Sequence, residues 1–153
     1  MKPKILIVGE DGFDANQYIQ LAYGEWAAQT NVTLAQALAT SGQMAGLVVM
    51  EDDRTGLRLV YEVEVSTGWW SSTNYYVTAY ALQDGQLNQI ARSGNLGSLT
   101  DVSLRIIKSN NGYSFAYSTD GVNWVDMAGS SKMMMAAPKL GPFCGNVAGA
   151  TAT

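Results

Sequence analysis

Histidine is absent from this chain of 153 residues. That removes the commonest general base, the usual transition-metal ligand and every Ser-His or Cys-His nucleophile pair. Cys144 is the single cysteine, so no disulfide can close within the chain. Charge is scarce as well. Asp, Glu, Lys and Arg make up 14% of the residues, the net charge is −4, and no basic stripe is present to grip a phosphate backbone. Nucleic acid is therefore not an expected partner. No apolar run approaches the roughly 18 residues of a membrane span, and none is expected. The apolar stretch of Met1–Val8 stops at Gly9-Glu10-Asp11, too short for the core of a secretory signal. The expected location is a virion, with the protein made in a host cytoplasm and delivered on a particle released by lysis; the alternative is cytoplasmic.

What the chain does have is strand patterning, clearest over Val102–Trp124. In Val102–Lys108, Val102, Leu104 and Ile106 point one way and Ser103, Arg105 and Ile107 the other. Asn111-Gly112 follows, a dipeptide suited to the positive φ angles of a type I′ turn. Tyr113, Phe115 and Tyr117 then share one face of the next strand. Asp120-Gly121 makes a second turn, and Trp124 opens the next extended piece as an expected core plug.

Lys4–Val8 reads as a strand. The residues after it lack both the glycines of a dinucleotide fingerprint and a phosphate-loop lysine. Asp14–Thr40 admits two readings: a helix capped by Asp14 with Tyr18, Leu21, Ala22 and Trp26 on one face, or strands with irregular connections. The strand reading is favoured, because Gly24 weakens the helix and Thr30–Leu34 is β-prone. Asn31-Val32-Thr33 matches a glycosylation sequon by chance. Further on, Gly46–Met50, Leu57–Val65, Tyr75–Leu82 and Leu87–Arg92 read as strands. Polar or Gly-containing turns separate them, and a loop at Ser66–Asn74 carries Trp69 and Trp70. On Leu57–Val65 the core face is Leu57, Leu59, Tyr61, Val63 and Val65. Many short strands with Gly, Asn and Asp turns predict an all-β antiparallel sandwich or barrel.

Several of these residues resemble a known family. Ala45–Val49, the acidic turn at Asp52-Asp53 and the strand Leu57–Val65 are similar to the central strands of concanavalin A-like lectin/glucanase jelly rolls. Leu104-Arg105-Ile106, followed by Tyr113–Asp120-Gly121 and Trp124, resembles the hairpin of the non-catalytic modules appended to glycoside hydrolases or found on phage particles. Lys139–Phe143 looks like the strand that follows. The resemblance covers Ala45 to Asn146 and implies a concanavalin A-like jelly roll. It divides the chain into residues 1–44 (an assembly arm plus first strands), a sandwich core at 45–146 and a flexible tail at 147–153. No closing strand is apparent after Asn146, so the N-terminal strand or a neighbouring chain is expected to complete the sheet.

The candidate sites are few. Glycoside hydrolysis needs two carboxyl groups across a sugar, about 5–5.5 Å apart for retention and about 6.5–9.5 Å for inversion. Glu62 and Glu64, at i and i+2 on one strand face, stand roughly 6.5–7 Å apart. The catalytic glucanases that the family includes carry a third carboxylate, which this chain lacks, so the pair reads as a solvent-facing acidic stripe and no catalytic residue is assigned. Asp52 and Asp53, with Asp84 or Asp120, are weak candidates for Ca2+, but adjacent acids in a turn are ordinary turn chemistry and no cofactor is expected. Trp69, Trp70, Tyr75 and Tyr76 form the densest aromatic cluster and are the candidates for glycan binding or a subunit interface. Met133–Met135 reads as core plus interface, and Cys144 as a small buried hydrophobe. The expected function is a non-catalytic structural or recognition protein, a phage virion component such as a capsid decoration, fibre or tail protein. Its partners would be its own subunits or a larger assembly, with surface glycans as ligands. The alternatives are a glycoside hydrolase using Glu62 and Glu64 and a free sugar-binding module.

Overall fold

The computed structural model describes the backbone of residues 19–20 and all of residues 25–145. The Lys4–Val8 strand, the tail and Tyr18, Leu21 and Ala22 of the helical alternative lie outside the described residues. Within them there are ten strands and no helix. They are β1 (Ile19–Gln20), β2 (Trp26–Thr33), β3 (Met44–Met50), β4 (Gly56–Ser66), β5 (Ser72–Gln83), β6 (Gln86–Arg92), β7 (Asp101–Ser109), β8 (Gly112–Ser118), β9 (Val125–Ser131) and β10 (Lys139–Gly145). Trp26 and Thr30–Thr33 are in β2, as the strand reading of that segment required.

Two antiparallel sheets result: a six-stranded one in the order β1-β10-β3-β4-β5-β6 and a four-stranded one in the order β2-β7-β8-β9. Period-2 alternation sets which face each sheet buries. Leu57, Leu59, Tyr61 and Val63 of β4 face inward beside Val77 and Ala79 of β5 and Leu47 and Val49 of β3. Val102, Leu104 and Ile106 of β7 and Tyr113, Phe115 and Tyr117 of β8 meet them from the other sheet. Each such large side chain taken fully from water contributes about 1.5–3 kcal/mol. Tyr61 carries a polar tip into this core. Its hydroxyl donates to the Gly97 carbonyl (2.9 Å) and accepts from the Leu99 amide (2.8 Å).

The turns follow residue chemistry. Asp84 (φ 52°) and Gly85 (φ 81°) form the tight β5–β6 connection, the positive-φ pair of a type I′ turn. The β7–β8 turn differs from the expectation. Asn110-Asn111 occupy its two central positions with negative φ, and Gly112 takes the positive angle (124°) as the first residue of β8. This is a type I-like turn closed by glycine, and a Cβ at Gly112 would lie 2.3 Å from the Ser131 carbonyl oxygen. A bulge between Ala79 and Tyr80 leaves Ile90 unpaired. The end strands β6 and β9 meet where Gly129 permits it: a Cβ there would sit 2.8 Å from both the Ala91 Cβ and the Ile90 oxygen.

Candidate functional site

The outward face of the six-stranded sheet carries the charged chemistry of the molecule. Register pairs Glu62 and Glu64 of β4 with Tyr76 and Asn74 of β5, and pairs Thr78 of β5 with Val60 on one side and with Arg92 of β6 on the other. Glu62 is only 6% exposed, so it is not the solvent-facing acid that alternation alone suggests. Its Oε1 accepts from the Thr78 hydroxyl (2.7 Å), the Tyr80 hydroxyl (2.7 Å) and Arg92 Nη2 (2.9 Å). Arg92 Nη1 reaches Glu64 Oε2 at 2.9 Å, and its guanidinium lies 4.5 Å over the Tyr76 ring. One cation therefore clamps both carboxylates. Such a geometry is required here, because a carboxylate removed from water needs a counter-charge and donors.

Burial pushes the Tyr80 hydroxyl above the ordinary tyrosine value, and its bond to Glu62 adds to the shift. For Arg92, desolvation works against the charge, but interactions with Tyr80, Glu64 and Glu62 outweigh it and the net shift is upward. This arrangement is an ion-pair network on a sheet face. Glu62 and Glu64 share one arginine and do not face each other across an open cleft.

The four aromatic candidates separate. Trp69 and Trp70, at the tip of the β4–β5 hairpin, are 100% and 88% exposed. The hairpin base is tied by a Ser66–Ser72 hydroxyl pair at 3.0 Å. Tyr76 lies on the outward face under Arg92. Tyr75 turns inward, stacks on Tyr61 (6.0 Å, 15°) and donates its hydroxyl to the Leu38 carbonyl at 3.0 Å. Adjacent strand residues point to opposite faces, which splits Tyr75 from Tyr76. In the loop no such rule applies, and both indoles face water. Asp52 Oδ1 accepts from the Arg54 amide at 2.8 Å, an Asx turn, and Asp53 is exposed. Among the described residues no group of three or more His, Cys, Asp or Glu side chains could hold a metal ion.

Trp124 is not the core plug that its position after a turn suggests. It stands on the outward face of the four-stranded sheet with the Arg105 guanidinium 3.7 Å over its ring. Arg105 also donates to Gln29 Oε1 (2.8 Å). A cavity of about 360 Å³ opens nearby, lined by Asn31, Asp101, Ser103, Ser118, Thr119 and Asp120 among others. Most of these polar groups already satisfy one another or their neighbours. Ser103 donates to Asn31, Ser118 to Asp120 and Thr33 to Asp101.

Two antiparallel sheets in this order, with the aromatic side chains of β8 packed between them, define a concanavalin A-like β-sandwich, as the sequence resemblance implied. The chain belongs to the family described as beta xylosidase C-terminal concanavalin A-like domain, which matches residues 24–153. Two structures of the GH43 protein BlXynB from Bacillus licheniformis, one of them a mutant, share the fold. The mutant is 13% identical with a TM-score of 0.59 over 84% of this chain, and the other is 14% identical with a TM-score of 0.60 over 86%. This chain spans 24% and 25% of those proteins, about a quarter of their length. A functionally unknown protein from Saccharomyces cerevisiae is 18% identical with a TM-score of 0.61, the match covering 84% of this chain and 63% of that one. No curated protein sequence matches the chain.

Arg92 and Arg58 were not among the residues singled out from sequence, although both alternate onto the outward face. Arg58 lies four residues before Glu62 on that face, and this spacing was the available signal.

Proposed function

We propose that this chain is a non-catalytic accessory module that recognises carbohydrate, with Trp69 and Trp70 as its contact to a glycan chain. The observation that carries the reading is the exposure of both indoles at the tip of a tied hairpin. Large apolar rings held in water gain free energy from any apolar surface that covers them, and the C–H face of a pyranose is such a surface. Membership of a domain family named for beta xylosidases adds support. The lack of catalysis rests on the Glu62–Arg92–Glu64 clamp, since a carboxylate spent as a counterion is poorly placed to exchange protons with a sugar oxygen.

The test is binding of xylohexaose by calorimetry. Trp69→Ala and Trp70→Ala are each expected to weaken binding about 10-fold with the melting temperature unchanged. Undiminished affinity in the double variant overturns the assignment. A second reading puts the same indoles in a protein interface, because two large exposed apolar rings side by side also suit a protein partner. It predicts that the double variant alters self-association or docking while xylohexaose binding is absent from the start. None of the relatives named above is described as a particle protein, and they lend the virion placement no support.

A further inference from the structure

The cavity of about 360 Å³ lies over one end of the outward face of the four-stranded sheet. Val102 and Leu104 of β7 point into the core, so Ser103 between them points out. Register sets Ser103 between Asn31 of β2 and Ser118 of β8. Ser103 and Ser118 are buried and form the base of the cavity, while the exposed Asn31, Asp101, Thr119 and Asp120 form its sides. Gly121 keeps the space open. Its φ of 75° suits glycine, and a Cβ there would stand 4.0 Å from Ser103 Oγ.

The hydrogen-bonding capacity that remains in the cavity is lopsided. Ser103 donates to Asn31 Oδ1 (2.8 Å) and Ser118 to Asp120 Oδ1 (2.9 Å), which leaves both hydroxyl oxygens as acceptors. Asp120 Oδ1 also takes the Val122 and Asn123 amides, but Oδ2 takes only Asn123 Nδ2 at 2.7 Å. Asp101 Oδ1 accepts from Thr33 at 2.8 Å, and its Oδ2 meets only the Thr100 hydroxyl at 3.4 Å. Asn31 Nδ2 gives one proton to Thr33 (3.4 Å) and keeps another. The exposed Thr119 hydroxyl makes no bond among the described residues. No Lys or Arg is among the described residues that line the cavity. A fitting occupant therefore brings several donors and a few acceptors. Ring hydroxyls do both, each with one proton and two lone pairs. A bare cation is less well served. Asp101 and Asp120 are the charged ligands on offer, and no group of three or more His, Cys, Asp or Glu gathers among the described residues.

The tryptophan hairpin stands at the same end of the sandwich. β2 ends at Thr33 beside Asp101, where β7 begins, and the Leu34 amide bonds to the Thr100 carbonyl at 2.7 Å. The segment that follows β2 then meets the strands of the hairpin: Tyr75 donates to the Leu38 carbonyl (3.0 Å) and Ser41 to the Val65 carbonyl (3.2 Å). The cavity and the indoles thus belong to one end of the molecule, on opposite sheets.

We infer that the cavity is a second contact for a neutral glycan and holds one pyranose ring through its hydroxyls; the inference rests on the carbohydrate reading above. Asp101 Oδ2 and Asp120 Oδ2 accept from the ring hydroxyls, and Thr119 and Asn31 Nδ2 donate to them. The volume is at the low end of the roughly 300–1,000 Å³ of ligand clefts, which suits one ring better than a chain.

Amide chemical-shift mapping of the whole chain with xylobiose tests this. Shifts are expected at Ser103 and at Thr119–Gly121, and the affinity should not change as salt is raised. Asp101→Asn keeps an oxygen to accept from Thr33 but replaces the open acceptor with a donor. Thr119→Val removes the exposed hydroxyl and keeps the shape. Each is expected to weaken xylobiose at the cavity about 5-fold, while the Trp69→Ala, Trp70→Ala double variant leaves the cavity shifts in place. Shifts confined to the Trp69–Trp70 hairpin, or cavity shifts that neither variant weakens, overturn the cavity site and leave the tryptophan reading standing. Cavity shifts with none at the hairpin do the reverse. Shifts lost on chelation with EDTA, or fading with salt, assign the cavity to a charged ligand and overturn the sugar site. Absence of shifts anywhere, with xylohexaose as well, overturns both readings.

Discussion

Each outward face of this sandwich holds an arginine over an aromatic ring, Arg92 on one and Arg105 on the other, and the two are held differently. On the six-stranded sheet Arg92 covers Tyr76 and bonds to Glu62 and Glu64. On the four-stranded sheet Arg105 covers Trp124 and bonds to the neutral amide of Gln29. The first arrangement buries a carboxylate and is committed to a counter-charge. The second stays with neutral donors and acceptors, and its nearby acid Asp120 is met by Asn123, Val122 and Ser118 without any cation. The stacking geometry alone therefore says little about energetic weight. What the guanidinium leaves behind when removed decides it.

The largest expected effect follows directly. Arg92→Met leaves Glu62 buried without its cation and is expected to cost about 3 kcal/mol, the low end for breaking a buried pair because Arg92 keeps some solvent contact. Arg105→Met strands no charge and is expected to cost about 1 kcal/mol. Urea denaturation of the two variants side by side measures the difference, and equal costs would break the contrast between the faces. Next comes Tyr80→Phe, which removes one donor from Glu62 and is expected to cost about 1.5 kcal/mol. The Tyr80 hydroxyl is held above its ordinary 10.0 by burial first and by Glu62 second. Its protonated form is therefore favoured in the fold. The advantage of wild type over Tyr80→Phe should be full below pH 10.0 and shrink as pH rises through the higher folded value. A gap that stays constant above that pH would separate Tyr80 from the network.

The smallest effect is expected at the solvated acid. Asp120 is held below its ordinary 3.8, first by the Asn123 side chain, then by the Asn123 and Val122 amides and the Ser118 hydroxyl. Asp120→Ala should lower the melting temperature slightly at neutral pH. That difference is full above pH 3.8 and fades as acid protonates the wild-type carboxyl. Thermal melts at the two ends of that range measure it, and a difference that grows in acid would contradict the assignment.

Much of the fold was legible because strand alternation reports directly on burial. Tyr113, Phe115 and Tyr117, and the five apolar positions of Leu57–Val65, were read onto the core face and point there. Alternation fails where an outward face is itself covered or charged. Glu62 reads as solvated from β4 alone; its burial depends on Thr78, Tyr80 and Arg92, which lie 16 to 30 residues away. Trp124 was misplaced for a related reason. A tryptophan after a turn suggests core filling, but Arg105 offers its ring a cover on the outside. The β7–β8 turn was displaced by one residue because Asn110 and Asn111 compete for the same positions, and only Gly112 can take φ 124° against Ser131.

Strand edges are where β-proteins adhere to one another, since unpaired amides and carbonyls there act as templates for further strands. The approach of β9 to β6 at Gly129 therefore bears on solution behaviour as well as packing. It brings a margin of one sheet against a margin of the other, so among the described residues two of the four sheet edges screen each other. Among the described strands, any strand addition is thereby left to the opposite margins, β2 of one sheet and β1 of the other.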